Sequence, residues 1–231
     1  LEQNPRLAGY RASQEAVRQF KGKTRCGLVL FADGLATGYA EVIRGIQEVL
    51  GTRSLITGGL TGDDLRFTKT YQYATDRVHS DAVVGLLLGG ACSIGVGLEH
   101  GFAPVSRHLR ITRARGNVLY ELDDQPASSV YEEYFGPEGM DSLRQAGLSR
   151  RLIAYPLGIQ ADSAGPFLLR NVMTFGSDGS LVCSAEVAEG GSAQLMISSR
   201  ELALEAAEQA AREAVGQLRS VRFVLIFDAV S

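Results

Sequence analysis

Tryptophan is missing from this chain, and cysteine, methionine and histidine occur only three times each in 231 residues. Cys26, Cys92 and Cys183 are odd in number and far apart, with the spacing of neither a disulfide framework nor a metal site. His79, His100 and His108 form no ligand pair either. No apolar run approaches the roughly 18 residues of a membrane-crossing helix, and the start of the chain lacks the basic and then apolar pattern of a signal peptide. Charge of one sign is lacking too: 23 Lys plus Arg face 26 Asp plus Glu, a net charge of -3. No segment interleaves basic and aromatic residues as a nucleic-acid surface does. The expectation is therefore a cytoplasmic chain with no nucleic-acid partner, no membrane span and no metal or cofactor. It begins at Leu1 without methionine and stops at Ser231 just past an apolar run, which reads as a fragment of something longer.

What is present is 45% hydrophobic, enough to bury the core of one large domain or of two joined halves of about a hundred residues each. Spacing predicts a helix over 12–20, then a strand at 27–32 whose unbroken apolar run suits burial on both faces, ended by Asp33. Apolar residues at 39, 42, 43, 46, 49 and 50 make one helical stripe stopped by Gly51, and 54–57 reads as the next strand. A strand, helix, strand unit of this kind requires parallel strands and a right-handed crossover. Strands with turn-sized gaps follow at 67–73, 82–88, 92–98, 109–112 and 117–122, the pattern of antiparallel pairing. Pro126 opens a short helix ended by Gly136, and a second covers 139–147. Further strands are expected at 153–155, 167–175, 181–185 and 193–197. Ser198 and Glu201 then open a helix whose Ala203, Ala207, Ala210 and Ala214 form a face small enough to lie close on a sheet, and 223–227 closes the chain as a buried strand. The fold class is α/β (α+β) with mixed, largely antiparallel sheets, expected as two sheets between helices in a four-layer αββα-like sandwich.

One charge stands out. In the apolar run 167–175, alternation places Arg170 and Asn171 on opposite faces of a strand that reads as buried on both. A buried guanidinium needs an anion, either an internal Asp or Glu or the carboxylate or phosphate of a ligand. At the carboxyl ends of the two parallel strands, Asp33 and the stretch Gly58-Gly59-Leu60-Thr61-Gly62-Asp63-Asp64 should lie side by side. Ligands bind at that end of open α/β sheets, although glycines and aspartates also serve tight turns and caps. No lysine or following helix makes this a phosphate loop. His100, in the corner His100-Gly101-Phe102-Ala103-Pro104, either faces a pocket or hydrogen-bonds the corner's backbone. Ser93, within Ala91-Cys92-Ser93-Ile94-Gly95, is a near miss to a hydrolase elbow but enters a strand where the elbow requires a helix.

The order of segments carries a resemblance: Gly58-Gly59 with Thr61-Gly62, His100-Gly101-Phe102-Ala103-Pro104, Thr112, Asn117 with Leu122-Asp123, Pro126-Ala127, Pro156-Leu157-Gly158-Ile159 and Leu168-Leu169-Arg170-Asn171-Val172. This resembles the FIST (F-box and intracellular signal transduction) family, with an amino-terminal domain over 1–136 and a carboxyl-terminal one over 137–231. Two departures are visible: Ala229 stands where the family usually has cysteine, and the opening strand of the amino-terminal part is missing. The resemblance implies an input module of bacterial signalling proteins that binds small ligands such as amino acids and acts on an output protein or fused domain. An amino acid offers a carboxylate to Arg170 and an ammonium to Asp33, Asp63 and Asp64, with Thr61, His100 and Asn171 as further candidates. The other readings are a protein-interaction platform, using Tyr71, Tyr73 or Tyr134, and a cryptic hydrolase built on Ser93, Thr61 or a cysteine near His100.

Overall fold

Glycine sets how the first two helices meet. The computed structural model describes residues 1, 3–22, 24–64, 66–145, 150–161 and 165–229. Helix α1 (Pro5–Gln19) starts earlier than its apolar spacing suggests, because Asn4 accepts a hydrogen bond from the Leu7 N–H and Pro5 fits the first turn. After strand β1 (Arg25–Asp33), helix α2 (Tyr39–Leu50) packs on α1 where Gly9 faces the Val42 carbonyl and Gly45 faces the Arg6 carbonyl. A Cβ at Gly45 would lie 2.0 Å from that oxygen. Strand β2 (Ile56–Thr61) runs parallel to β1, as the crossover requires, and the hairpin β3 (Gln72–Ala74) and β4 (Arg77–His79) forms a two-stranded sheet. Strand β5 (Val83–Gly89) completes a three-stranded sheet in the order β2-β1-β5. Leu28, Leu30, Val42 and Ile46 are its buried core, with Ile43, Leu50, Ile56, Val83 and Leu87 packed around them.

These elements, with residues 209–228, form the first of two compact units; the second comprises 99–208 and 229–231. In the second unit, strands β6 (Phe102–Pro104), β7 (Leu109–Arg115), β8 (Val118–Leu122) and β9 (Gln125–Pro126) lead into helix α3 (Ser129–Gln145). This helix contains a non-helical break at Gly136, the stop expected there, and 146–147 of the second expected helix lie outside the described residues. Helix α4 (Arg150–Ile153) takes part of the stretch expected as a strand at 153–155. Strands β10 (Leu157–Gln160), β11 (Leu168–Arg170), β12 (Val172–Phe175), β13 (Leu181–Cys183) and β14 (Ser192–Ser198) follow. They ladder in the order β11-β10-β14-β7-β8-β13-β12, with β6 on β14 and β9 on β8.

The two ends of that path, β11 and β12, are separated in sequence by Asn171 alone, so the ladder returns to the stretch of chain on which it began. The two halves of that stretch take different partners, β11 pairing with β10 and β12 with β13. The core holds Ile111, Leu119, Leu122, Leu157, Leu181, Leu195 and, from α3, Tyr131, all at most 1% exposed. Tyr131 donates to the Tyr155 carbonyl at 2.7 Å and sits edge-on to Phe175, which settles its one polar atom in an apolar site.

Helix α5 (Arg200–Gly216) is capped by Ser199, whose hydroxyl accepts from the Leu202 N–H, and not by Ser198, which bonds the Gly101 carbonyl. Its alanine face does lie close to a neighbour, but the neighbour is an irregular, glycine-bearing stretch and not a sheet. The expected strand at 92–98 has no ladder; Gly95 and Gly97 bring its backbone against the carbonyls of Ala214 and Ala210, while Gly101 meets Ala203. Gln217 holds both backbone groups of Val96, donating to its carbonyl at 2.7 Å and accepting from its N–H at 3.2 Å. The run at 223–227 is likewise without a ladder and lies exposed, with Ile226 at 85%. The expectation of a buried closing strand is corrected: an apolar run predicts a strand only if it pairs, and this one lies exposed without a ladder. The fold class is α+β with mixed and antiparallel sheets, one main sheet in each unit besides the β3-β4 hairpin.

In an ordinary helix interior Gly→Ala is worth up to about 1 kcal/mol of stabilisation. Gly45→Ala is expected to do the reverse, costing about 1–3 kcal/mol by overpacking the α1–α2 contact. Gly216→Ala, with nothing within 4 Å, should be neutral or stabilising; urea titration of the two variants measures the sign.

Candidate functional site

The carboxyl end of β1 places Asp33 in the interior of the first unit, 4% exposed. Its carboxylate accepts the Leu35 N–H at 2.9 Å and the Asp81 N–H at 2.7 Å, and its own carbonyl accepts the Tyr39 hydroxyl at 2.7 Å. Burial works against the charge, but these hydrogen bonds with those of Thr70 and Gln72 outweigh it and hold the pKa below the ordinary carboxylate value. Burial, and then the Asp33 charge, push the Tyr39 phenol up to about 12.

Thr61, opposite Asp33 in the β1–β2 register, joins the same network. Its hydroxyl lies 3.0 Å from Thr70 Oγ1 and 3.2 Å from the Ala32 carbonyl, and Gln72 Nε2 donates to Thr61 at 2.7 Å and to Thr70 at 2.8 Å. Gln72 Oε1 accepts the Ala82 N–H at 3.2 Å, so this polar interior knits β2, β3 and the entry to β5 together. Thr70 and Gln72 were not anticipated. The signal was present, since polar residues at 68, 70 and 72 share one face of an alternating run whose other face carries Tyr71 and Tyr73. Thr70 and Gln72 are 1% exposed and Tyr73 is 71% exposed, an inverted pattern of polar side chains inside and aromatics outside.

Asp63 organises the loop that follows: Oδ1 accepts the Phe67 N–H at 3.0 Å and Oδ2 the N–H groups of Thr68 and Lys69 at 2.7 and 3.1 Å. Those bonds, the one from Thr68 foremost, lower its pKa. Asp64 is exposed, with left-handed backbone at φ 58. The structure thus brings Asp33 and Thr61 into one network and leaves Asp63 and Asp64 in the adjoining loop. A surface cavity of about 760 Å³ lies at the other end of β1, beside Arg25, Cys26, Arg53 and Leu55.

Arg170, Asn171 and His100 belong to the second unit. The expected nine-residue strand is interrupted at Asn171, and Leu168 is 51% exposed, so it is not buried on both faces. Arg170 is half-buried. Its Nε donates to the Glu186 carbonyl at 2.8 Å and Nη1 to the Leu169 carbonyl at 3.0 Å. Among the described residues no carboxylate forms an ion pair with it. Burial lowers its pKa, opposed by the nearby Cys183 and Glu186, and Cys183, 1% exposed, is itself pushed up to about 12. The Asn171 backbone is tied to Ser184 in both directions, while its side-chain Oδ1 is buried without a hydrogen-bond partner among the described residues. His100 Nδ1 accepts the Phe102 N–H at 3.4 Å, the backbone-bonding alternative for that corner.

The FIST N domain matches residues 2–125 and the FIST C domain matches residues 127–231. The chain belongs to the FIST family. FIST domains are associated with sensory roles in signal transduction. The family boundary falls at β9, whereas the compact units divide after Leu98 and after Glu208, because β7 and β8 of the FIST N match ladder with β14 and β13 of the FIST C match. The chain is similar to an uncharacterized protein of Methanocaldococcus jannaschii, 37% identical over 90 residues, which is 38% of this chain and 18% of that relative. The chain therefore covers well under two thirds of the relative's length. No solved structure matches. Among the described residues no helix is long and apolar enough to cross a membrane, and no three His, Cys, Asp or Glu side chains gather as a metal site.

Asp33→Ala should cost about 1–3 kcal/mol at pH 7 by stranding the Leu35 and Asp81 N–H groups. A carboxylate whose folded pKa is depressed stabilises the fold above its unfolded pKa, about 4, and the contribution is lost as pH falls through the folded value. The stability gap between wild type and Asp33→Asn, measured by denaturant titration, is expected to be full at pH 7 and to shrink steadily below pH ~4.

Proposed function

We propose that this FIST chain is the input module of a signalling protein, binding a small amino-acid-like ligand whose carboxylate is held by Arg170. The observation that carries the reading is a half-buried guanidinium that rests on carbonyl oxygens alone among the described residues. Neutral acceptors satisfy its N–H groups, and Glu186 offsets part of its charge without forming an ion pair with it among the described residues; a ligand carboxylate does both through paired, charge-assisted bonds.

Asn171 supports the same reading. It follows Arg170 directly, at the point where the strand is interrupted. An orphaned amide oxygen costs about 1–3 kcal/mol, and a ligand ammonium that draws it outward recovers that cost. Ligand binding then favours one conformation of the ladder's join over another, which is what a sensor has to do. Asp33 and Asp63, by contrast, spend their carboxylates on backbone N–H groups, which makes them organisers of the crest and its loop. An output protein or fused domain would read the change.

A protein-interaction platform is the second reading, favoured by the exposure of Tyr73, Phe223 and Ile226. Calorimetry with a panel of the common amino acids separates the two. The sensor reading expects saturable heat for at least one, none for the matching amine without a carboxylate, and affinity lowered about tenfold to a hundredfold by Arg170→Ala. No heat with any amino acid, or unchanged affinity in Arg170→Ala, would overturn it.

A further inference from the structure

The β1–β5 ladder slips in register between Arg25 and Gly27, so Cys26 is the extra residue of a bulge. Bulges re-aim side chains and recur beside functional sites. Here the bulge turns the Cys26 thiol onto the loop after β5, where Sγ donates to the Cys92 carbonyl at 3.1 Å and lies 3.5 Å from the Gly90 carbonyl. The neighbouring Cys26 thiol, and then burial, push the pKa of the Cys92 thiol up. Cys26 is half-buried, Cys92 is exposed and neither is in a disulfide. Cys26 lines the 760 Å³ cavity, flanked there by Arg25 and Arg53.

We propose that Cys26 and Cys92 are a redox-active thiol pair that closes into a disulfide at the expense of an anionic low-molecular-weight disulfide docked against Arg25 and Arg53. Cys26 gives its proton to solvent, and its thiolate attacks one sulfur of the docked disulfide, forming a mixed disulfide and expelling the first thiolate, which takes a proton from solvent. Cys92 then gives its proton to solvent, and its thiolate attacks Cys26 Sγ and expels the second thiolate, which is protonated in turn. Two protein thiols have then lost two electrons and two protons, and one disulfide has become two thiols. The bond would tie the bulge of β1 to the loop beyond β5.

Oxidised glutathione, with its carboxylates, is the probe, and the cationic disulfide cystamine is the comparison. Peptide mapping after alkylation is expected to find a Cys26–Cys92 disulfide in the native protein while Cys183 stays reduced. Cys92→Ser should trap the mixed disulfide on Cys26. Combined Arg25→Ala and Arg53→Ala should slow the reaction with oxidised glutathione about tenfold or more and leave cystamine unslowed. Separate glutathione adducts on Cys26 and Cys92 in the native wild type, or no reaction, would overturn the thiol pair. Equal rates for the two disulfides would overturn the docked anion.

Discussion

A ladder that returns to its own starting strand must pass the chain from one end of the path to the other, and here it does so within one residue, Asn171. β11 pairs with β10 and β12 pairs with β13, so the backbone between them leaves one partner and takes up another. That step interrupts the pleat, leaves the Asn171 amide oxygen orphaned and puts Arg170 at the end of its ladder, where carbonyls and not carboxylates receive it. The apolar interior enclosed by the ladder, filled by Leu119, Leu157, Leu181, Leu195 and Tyr131, is what makes the step worth its polar cost. A join with an unsatisfied amide on a well-packed frame is a fitting place for a ligand to bias a conformation.

The first unit solves a different problem. Its carboxyl-terminal crest is polar inside, and the Asp33 charge is stabilised by N–H and O–H groups. Gln72 and Thr70 reach inward from β3 and its approach, which is why Tyr71 and Tyr73 face outward. The crest is thus internally satisfied, and its loop is held by Asp63. The chemistry left open in this unit lies at the far end of β1, where the bulge at Cys26 adjoins the arginine-flanked cavity.

Much of this was legible in the sequence. The stripe at 39–50 and the runs around it gave α2 and two parallel strands, since a 3.6-residue period between short apolar runs has one economical topology. The family was legible because its motifs are local and ordered, and Arg170 because a charge in an apolar run is conspicuous. What escaped notice depends on partners. The runs at 92–98 and 223–227 look like strands, yet Gly95 and Gly97 serve the close approach of α5, and among the described residues no strand ladders with 223–227. The double burial expected of 167–175 failed for the same reason: alternation tells which side chains share a face, not that a ladder will step at Asn171. Thr70 and Gln72 were missed because polar residues on a strand read as solvent-facing unless the opposite face is compared.

The proposed sensor depends on a ligand anion that completes Arg170. The most direct measurement is a crystal structure of the full chain purified from cells and soaked with the tightest-binding amino acid. A carboxylate within hydrogen-bond distance of the Arg170 guanidinium is expected, with the Asn171 amide turned to meet the ligand. A ligand seated elsewhere, with Arg170 still resting on the carbonyls of Glu186 and Leu169, would contradict it.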